Sequence, residues 1–453
     1  MNDPGQLFYN DDPVPVYNGG ACQPFAFFSK AGGEHPYLDP AVIQNLLNQK
    51  PPAINARPVQ TALLSMLTMY KKQSAKSDLM CISETGSGKT YAFLLPAIQT
   101  ALKRIEKNKG KASKSPSVLI FCHSQPLAEL IYANLTALVK NTAVKTCLVI
   151  GKTEFIKSTE FDIGVCCAGR FRNHFEGSKR YVQIDVTKLD LLIIDEVDES
   201  MKCADDFMLY FEIRQKTSCP AYFFSATLDG SFSLGDIFRD EDCFCYQHGE
   251  LNALPPTVIP VFWECDRSML PEAYLDDDGT VHAIPPTQNN TLLKCNPSDM
   301  IFFILKLQWD NRAATKFIIF TKKTVIADFL ANKLALLGIK ARSIHAKKSA
   351  EARRRCFEDF KAGVYKVIVA TNQLTRGIDV DVDVVINYDI PTSRTAWIHR
   401  SGRVGRNGKK GAAITLVDTK DPDYQTKAVL REIVGGLPPD KKLPTFLAEY
   451  LNL

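Results

Sequence analysis

The sequence has no apolar run near the length of a membrane span. Of its 453 residues, 45% are hydrophobic and 23% are charged, yet no apolar stretch approaches the ~18 residues needed to cross a bilayer. The N-terminus, residues 1–10, is polar and acidic, unlike a signal peptide or a basic transit peptide. We therefore expect neither a membrane protein nor a secreted one.

The chain also has little that would indicate a metal site built from cysteine. It contains 13 cysteines but no CxxC pair, and Cys203, Cys243 and Cys245 have no histidine at metal-ligand spacing. Scattered cysteines inside apolar segments are typical of reduced, buried thiols in a cytosolic or nuclear protein. The net charge of +5 is too small to predict nucleic-acid binding by itself.

Short apolar strands alternate with helix-like segments in two successive series. The first series of predicted strands is 79–82, 118–122, 163–167, 189–194 and 221–224, and the second is 317–320, 341–344, 367–370, 384–387 and 413–416. The strands of the first series are hydrophobic on both faces, as a parallel sheet covered by helices requires. The sequence thus predicts an α/β fold with two doubly wound parallel-sheet domains in tandem.

Composition places the expected domain borders. We expect a flexible extension at 1–24, a first domain at 25–247, a short proline-containing linker at 248–257, and a second domain at 258–453 with a surface insertion at 267–297. A basic, glycine-broken run occupies residues 103–114. A solvated loop is the favoured interpretation of that run, with an RNA-binding arm as the alternative.

A glycine-rich loop, residues 83–90 (SETGSGKT), follows the first predicted strand and precedes a helix-like segment. Such a loop turns backbone N–H groups toward phosphates. Lys89 is then expected to reach the β- and γ-phosphates, and the Thr90 hydroxyl to bind Mg²⁺. Because Ser83 stands at a position that is usually glycine, a chance glycine-rich turn remains the alternative.

Two acids, Asp195 and Glu196, follow the predicted strand 189–194. Asp195 is expected to hold Mg²⁺, and Glu196 to orient and deprotonate the attacking water. Two unrelated surface acids are the alternative. The order of the two motifs, each at a strand end, favours a nucleoside triphosphate site.

The run 399–406 (HRSGRVGR) places arginines three residues apart in the second domain. Arginines so placed can stabilise charge on a γ-phosphate from across an interdomain cleft, an effect of about 10³ to 10⁵ in rate. A basic surface turn is the alternative.

Taken together, these motifs resemble those of DEAD-box RNA helicases of superfamily 2, with Asp-Glu-Val-Asp at 195–198. The resemblance covers roughly residues 25–450 and includes the Ser-Ala-Thr run 225–227, the run 370–379 and Gln60. Parts of the sequence are similar to the Vasa/Belle branch. The resemblance implies two RecA-like domains, hydrolysis of ATP with Mg²⁺, and local unwinding of short duplexes by a chain bound to single-stranded RNA.

The resemblance also implies a role for individual residues. The residues implied to be catalytic are Glu196, Lys89, Arg403 and Arg406, the two arginines as arginine fingers. Those implied to hold ATP are Gln60, Phe28, Thr85, Gly86, Ser87, Gly88, Lys89, Thr90 and Asp379, and those implied to hold the metal are Thr90 and Asp195. Those implied to couple ATP to RNA are Asp198, Ser225, Thr227 and His399, and those implied to contact RNA are Gly151, Gly169, Arg170, Arg353, Thr371 and Arg376. Gln60 would read adenine, Phe28 would stack on it, and Asp379 would touch the ribose.

Several RNA-facing positions depart from the family pattern. Gln125 stands where the family has an arginine, Cys167 replaces a threonine, and Ala350 replaces a glutamine. We therefore expect an ATP-dependent RNA helicase, with an ATP-gated RNA clamp or scaffold of ribonucleoprotein granules as the alternative. The expected protein is a monomer with ribonucleoprotein partners and no membrane contact. It is expected in the cytoplasm or its granules, with the nucleus left open.

Overall fold

The structure is a computed structural model, and it separates into two compact units, Met1–Leu251 and Asn252–Leu453. It describes residues 6–9, 12–14, 22–34, 36–84, 86–111, 113, 115–151, 159–227, 243–248, 254–267, 274–275, 281–282, 296–298, 301, 304–305, 316–371, 382–405, 409–421, 423–438 and 441–453.

A nine-stranded sheet forms the centre of the first unit. Its strands are β1 (Gln6–Tyr9), β2 (Asp12–Val14), β3 (Asp78–Ser83), β4 (Val118–Cys122), β5 (Thr146–Val149), β6 (Ile163–Cys166), β7 (Leu191–Asp195), β8 (Ala221–Ser225) and β9 (Cys243–His248). Their order is β2-β1-β9-β3-β8-β7-β4-β6-β5. The strands from β9 to β5 pair in parallel, whereas β1 pairs antiparallel with β9 and β2.

Helices cover both faces of this sheet. They are α1 (Pro40–Leu47), α2 (Pro58–Met69), α3 (Lys71–Ser74), α4 (Lys89–Lys107), α5 (Gln125–Leu138), α6 (Ala168–Glu176), α7 (Val197–Ser200) and α8 (Ala204–Lys216). One hydrophobic cluster lies on each side of the sheet. Because both faces are covered, β3, β4 and β7 are buried along their whole length.

The second unit contains a parallel six-stranded sheet in the order β10-β17-β16-β13-β15-β14. Its strands are β10 (Val258–Cys265), β13 (Phe317–Thr321), β14 (Ala341–Ile344), β15 (Val367–Thr371), β16 (Val384–Asn387) and β17 (Gly411–Asp418); a separate hairpin joins β11 (Tyr274–Leu275) and β12 (Val281–His282). The helices are α9 (Thr324–Leu336), α10 (Ala350–Lys361), α11 (Arg394–Ser401), α12 (Tyr424–Gly435) and α13 (Thr445–Leu451).

The predicted α/β class with two parallel-sheet units is confirmed. The strands 118–122, 341–344 and 384–387 have the predicted bounds, and the other predicted strands shift by one or two residues at their ends. Among the described helices, none is long and apolar enough to cross a membrane.

The N-terminal segment differs from the expected flexible extension. Within 1–24, residues 6–9 and 12–14 form β1 and β2, and β1 pairs with β9 at the edge of the main sheet. Leu7 is fully buried in the core cluster, which explains why this segment is held in place. The strand β9 itself lies in a stretch that the sequence pattern does not identify. Most of the predicted insertion 267–297 lies outside the described residues.

Candidate functional site

The phosphate-binding loop lies where the sequence pattern predicts it, between the carboxyl end of β3 and the first turn of α4. Gly86 and Gly88 have φ angles of +83° and +101°, a backbone conformation that favours glycine. The hydroxyls of Ser83 and Ser87 lie 2.9 Å apart and brace the turn. Thr90 is the second residue of α4. The N–H groups of the helix N-terminus therefore stand at the loop, as anion binding requires.

Gln60 lies directly against this loop. Its Nε2 donates to the Gly88 carbonyl at 2.9 Å, and its Oε1 accepts from the backbone N–H of Arg57 at 2.9 Å. The Arg57 guanidinium donates to the Gly86 carbonyl. A Cβ at Gly88 would lie 2.6 Å from Gln60 Nε2, so this close contact also requires glycine. Arg57 is a residue of the site that the sequence reasoning did not single out.

The Lys89 ammonium lies inside the loop. It donates to the carbonyl oxygens of Ser83 and Glu84, the latter at 2.8 Å. Burial lowers the pKa of Lys89, and the nearby carboxylates of Asp195, Glu196 and Asp198 oppose that change. Ile82 near the end of β3 pairs with Ser225 of β8, and Asp195 at the end of β7 pairs with Phe224 of β8. The loop after β3 and the acids at the end of β7 therefore lie at the same edge of the sheet and belong to one site.

Asp195 ends β7, and Glu196 follows it in the left-handed conformation, with φ 50° and ψ 52°. Both side chains are buried, and the Glu196 backbone N–H donates to Asp195 Oδ1 at 3.0 Å. Burial raises the pKa of Asp195 well above its usual range. Repulsion from Glu196 adds to this effect, and Lys89 and His123 oppose it. Two buried carboxylates this close form a site that a divalent cation would stabilise.

His123 contacts the second of these acids. Cys122, at the end of β4, pairs in register with Asp195 on β7, so the residues that follow the two strands become neighbours. His123 Nδ1 lies 2.9 Å from Glu196 Oε2, and the two side chains are 14% and 11% exposed. The sequence reasoning did not assign His123 to the site. The signal that could have found it is its position one residue after a buried strand.

Three of the predicted coupling residues meet at the end of β8. The Thr227 hydroxyl donates to the Asp198 carboxylate, and the Thr227 backbone N–H donates to Ser225 Oγ at 3.1 Å. All three side chains are buried. The network joins the segment after β8 to α7, the short helix that directly follows Asp195 and Glu196 and carries Asp198.

The predicted RNA-contacting residues of the first unit also come together. Gly151, Gly169 and Arg170 line a shallow depression of about 370 Å³, together with His123, Gln125, Cys167 and Asn173. A Cβ at Gly151 would lie 2.6 Å from Gln125 Nε2, so the Gln125 side chain lies against this glycine. Arg170 donates to the Tyr181 hydroxyl at 3.1 Å and lies over the Tyr181 ring.

In the second unit the described site residues are buried. Arg353 lies on α10, Thr371 ends β15, and His399 lies on α11. Arg403 follows α11, and its Nε donates to the His399 carbonyl at 2.9 Å. The turn continues to Gly405, whose carbonyl accepts a 2.6 Å hydrogen bond from Thr257 Oγ1.

Phe28 does not lie where a nucleotide base could stack on it. Its side chain is fully buried in the core cluster of the first unit, edge-on to Phe27, with 5.1 Å between the ring centroids. The short 3₁₀ turn Phe25–Phe28 turns this ring inward. The predicted stacking of Phe28 on adenine is therefore wrong. The predictions for Thr85, Asp379, Arg376 and Arg406 fall outside the described residues.

The fold and site define a P-loop protein: a glycine-rich loop at the start of a helix, with paired acids at the end of a nearby parallel strand. A family model described as DEAD/DEAH box helicase matches residues 57–233, and one described as Helicase conserved C-terminal domain matches residues 299–408. The chain belongs to the DEAD/DEAH box helicase family, and its two units are RecA-like domains.

Several known proteins are similar to this chain. "Probable ATP-dependent RNA helicase DDX4" of Pelophylax lessonae is 27% identical over 402 residues, 84% of this chain and 50% of that protein. "ATP-dependent RNA helicase drs1" of Schizosaccharomyces pombe is 29% identical over 391 residues, 84% of this chain and 45% of that protein. The chain thus spans about half the length of these relatives.

Among solved structures, S. cerevisiae Dbp5 bound to RNA and ADP BeF3 has a TM-score of 0.65 to this chain. It is 21% identical, and the match covers 91% of this chain and 98% of that one. This likeness supports the fold.

Proposed function

We propose that this chain is an ATP-dependent RNA helicase, an RNA-dependent ATPase that binds single-stranded RNA and locally separates short duplexes or remodels RNA–protein complexes. The observation that carries the proposal is that the loop with Lys89 and the buried acids Asp195 and Glu196 lie at one edge of the sheet, next to the Asp198–Thr227–Ser225 network. The activity is proposed from the family, and the residues that carry it out are proposed from the geometry of the site.

In this proposal the phosphate loop and Lys89 bind the phosphates of ATP. Thr90 and Asp195 fit a Mg²⁺ ion, because Asp195 is a buried carboxylate beside a second one and carries a raised pKa. When bound, the ion would neutralise charge on the β- and γ-phosphate oxygens. Gln60, already against the loop, is the residue proposed to read adenine. Asp379 is proposed to contact the ribose.

Glu196 is the proposed general base. Its carboxylate would take a proton from the water that attacks the γ-phosphate. Asp198, Ser225 and Thr227 lie immediately beyond it, and His399 is proposed to join them. Hydrolysis at the γ-phosphate would thus be coupled to the segment after β8 through the hydrogen bonds of Asp198, Thr227 and Ser225. Arg403 and Arg406 are proposed to stabilise the charge that develops on the transferred phosphoryl group.

The RNA side of the proposal rests on the depression that contains Gly151, Gly169 and Arg170, with Arg353, Thr371 and Arg376 contributing from the second unit. A second candidate is an ATP-gated RNA clamp or scaffold of ribonucleoprotein granules. It is favoured by Gln125, an uncharged side chain that lies against Gly151 at a position where the family has an arginine. The loss of one phosphate contact lowers the salt slope of single-strand binding by about 0.7 but leaves binding in place.

Steady-state ATP hydrolysis, measured with and without single-stranded RNA, tests the proposed function. We expect RNA to increase the rate and expect strand displacement of a short duplex under the same conditions. ATP and RNA binding with no stimulation of hydrolysis by RNA would contradict the helicase and support the clamp.

The contact between His123 and Glu196 leads to a separate prediction. Replacing His123 with alanine removes the 2.9 Å contact between its Nδ1 and Glu196 Oε2, which orients the proposed base. Misplacement of a reacting group by about 1 Å can cost about 10² in rate. We expect kcat for ATP hydrolysis to fall by about 10- to 100-fold with the KM for ATP unchanged. Kinetics at saturating RNA measure both quantities.

The matched variant is His123→Asn, since an amide N–H can still donate to the carboxylate. It should recover a substantial part of the lost rate. A wild-type kcat for His123→Ala would show that Glu196 needs no such partner. Equal loss in both variants, with lowered thermal stability, would show that His123 acts through packing.

We further propose that the chain is a monomer of the Vasa/Belle branch, located in the cytoplasm or its ribonucleoprotein granules, where other ribonucleoproteins are its partners. The likeness to proteins named DDX4 in Pelophylax lessonae and Mus musculus supports the branch. The cysteines support a reducing compartment, since those in the described part of the chain are free thiols.

A further inference from the structure

A groove of about 970 Å³ lies on the first unit, at the opposite end of α4 from the phosphate loop. It is lined by the carboxyl-terminal half of α4 and by the chain at the amino ends of β7 and β8. The helix α4 has 19 residues, so its two ends are about 28 Å apart. The groove is therefore separate from the nucleotide site.

Lysines from four parts of the sequence converge on this groove. They are Lys71 of α3, Lys103 and Lys107 of α4, Lys111 just after it, and Lys188 before β7. All five are exposed. The acid among the described lining residues is Asp190, which pairs with Arg104 at 2.6 Å. The lysines thus face a groove whose own acidic group is already neutralised.

Hydrogen bonds and a cation–ring contact hold the wall of the groove together. Arg104 donates to the carbonyls of Ser115 and Pro116 at 3.2 and 2.9 Å, and also to that of Lys188. Lys103 is held with its ammonium 5.2 Å from the centroid of the Tyr37 ring. Although Lys103 is exposed, the surrounding protein shields its ammonium from part of the solvent, and this desolvation, with repulsion from Lys30 and Lys71, lowers the pKa of Lys103. Positive charges are therefore close enough to repel one another, and a bound polyanion would relieve that repulsion.

The remaining lining favours a nucleic-acid backbone over a protein partner. The larger apolar and aromatic lining residues Tyr37, Leu67, Leu189, Leu191 and Tyr222 are buried, with at most 8% exposure. The lining of the groove is thus more polar than apolar, and its aromatic side chains offer little exposed face to a protein partner or to a stacking base. Nucleic-acid interfaces are, by contrast, polar and strongly positive.

We propose that this groove is a second RNA site, which binds the phosphate backbone of single-stranded RNA without reading its sequence. The choice of RNA as the polyanion rests on the proposed function. The proposal makes the basic run 103–114 part of an RNA-binding surface, whereas the sequence pattern alone favours a solvated loop. The first part of that run lies on α4, and its lysines act together with Lys71 and Lys188, which are distant in sequence.

The test compares the full chain with a variant in which Lys71, Lys103, Lys107 and Lys188 are replaced by glutamine. A control variant carries the same charge change at exposed lysines outside the groove, namely Lys140, Lys340, Lys361 and Lys442. Binding of fluorescent oligouridylate of about 40 nucleotides is measured in the absence of ATP, over a range of salt concentrations. Four lost phosphate contacts should lower the salt slope by about 3 in the groove variant. The control should retain the wild-type slope.

Stimulation of ATP hydrolysis by an oligouridylate of about 10 nucleotides is measured in parallel, because it reports on the proposed function by itself. Unchanged stimulation together with the reduced slope supports the second site. Equal slopes in the groove variant, control and wild type would overturn it. No stimulation in any of the three proteins, with the slope still reduced, would reject the proposed ATPase coupling and leave the groove supported.

Lysine acetylation followed by mass spectrometry tests the same site in the wild-type chain. Oligouridylate should protect Lys103, Lys107 and Lys188 from acetylation, and Lys140 and Lys340 should react as before. Polyglutamate that protects the groove lysines more strongly than oligouridylate does would overturn RNA as the ligand in favour of an acidic protein segment.

Discussion

Replacing Glu196 with glutamine is expected to lower the kcat of ATP hydrolysis by about 10² to 10⁴-fold, the usual contribution of a positioned general base. Glutamine keeps the size of the side chain and can still meet His123, but it cannot accept the proton of the attacking water. Nucleotide binding should persist, because the phosphate loop and Lys89 are unchanged. Single-turnover hydrolysis and binding of a fluorescent ATP analogue measure the two effects separately.

The control for this variant is Glu176→Gln, which makes the same chemical change in the first unit at a side chain that is 59% exposed. It should hydrolyse ATP at the wild-type rate. Glu196→Gln with wild-type turnover would remove Glu196 from the mechanism and, with it, the proposed role of His123. Loss of nucleotide binding in Glu196→Gln would show that the substitution disturbs the loop itself.

Replacing Arg403 with alanine is expected to lower kcat by about 10³ to 10⁵-fold, the effect of an arginine that stabilises a transferring phosphoryl group. Arg403 follows α11, and its Nε is held by the carbonyl of His399. A guanidinium is a rigid planar fork of N–H donors whose geometry matches phosphate oxygens. Single-turnover hydrolysis at saturating ATP and RNA measures the loss.

The matched variant is Arg403→Lys, which keeps the charge but presents a compact ammonium in place of the planar fork. It should recover a small part of the lost rate. Alanine and lysine variants that both hydrolyse ATP at the wild-type rate would show that Arg403 supports the fold of its turn and takes no part in the reaction. Arg406 would then be the remaining candidate.

Much of the fold follows from local pattern. Strand 118–122 is a continuous apolar segment, because a strand covered on both faces has no polar side to show. Its bounds could therefore be read from the sequence. The strand β9 could not, because it alternates buried with more exposed residues and borders the edge strand β1.

The chemistry of the phosphate loop and of the acids after β7 also follows from the sequence. Short motifs at strand ends carry this information, since the loop that follows a buried parallel strand always emerges at the same edge of the sheet. The sequence thus identified Lys89, Asp195 and Glu196 as members of one site before any distance was known.

Tertiary structure decided the contacts between segments that are distant in sequence. His123 meets Glu196 because β4 and β7 are neighbours in the sheet, a pairing that no local period encodes. Phe28 is a core residue because a short turn directs its ring inward. The lysines at 71, 103, 107 and 188 form one charged groove because the ends of α3, α4 and β7 meet in space. Sequence determines which groups are present, and only packing determines which of them share a solvent-exposed surface or a buried site.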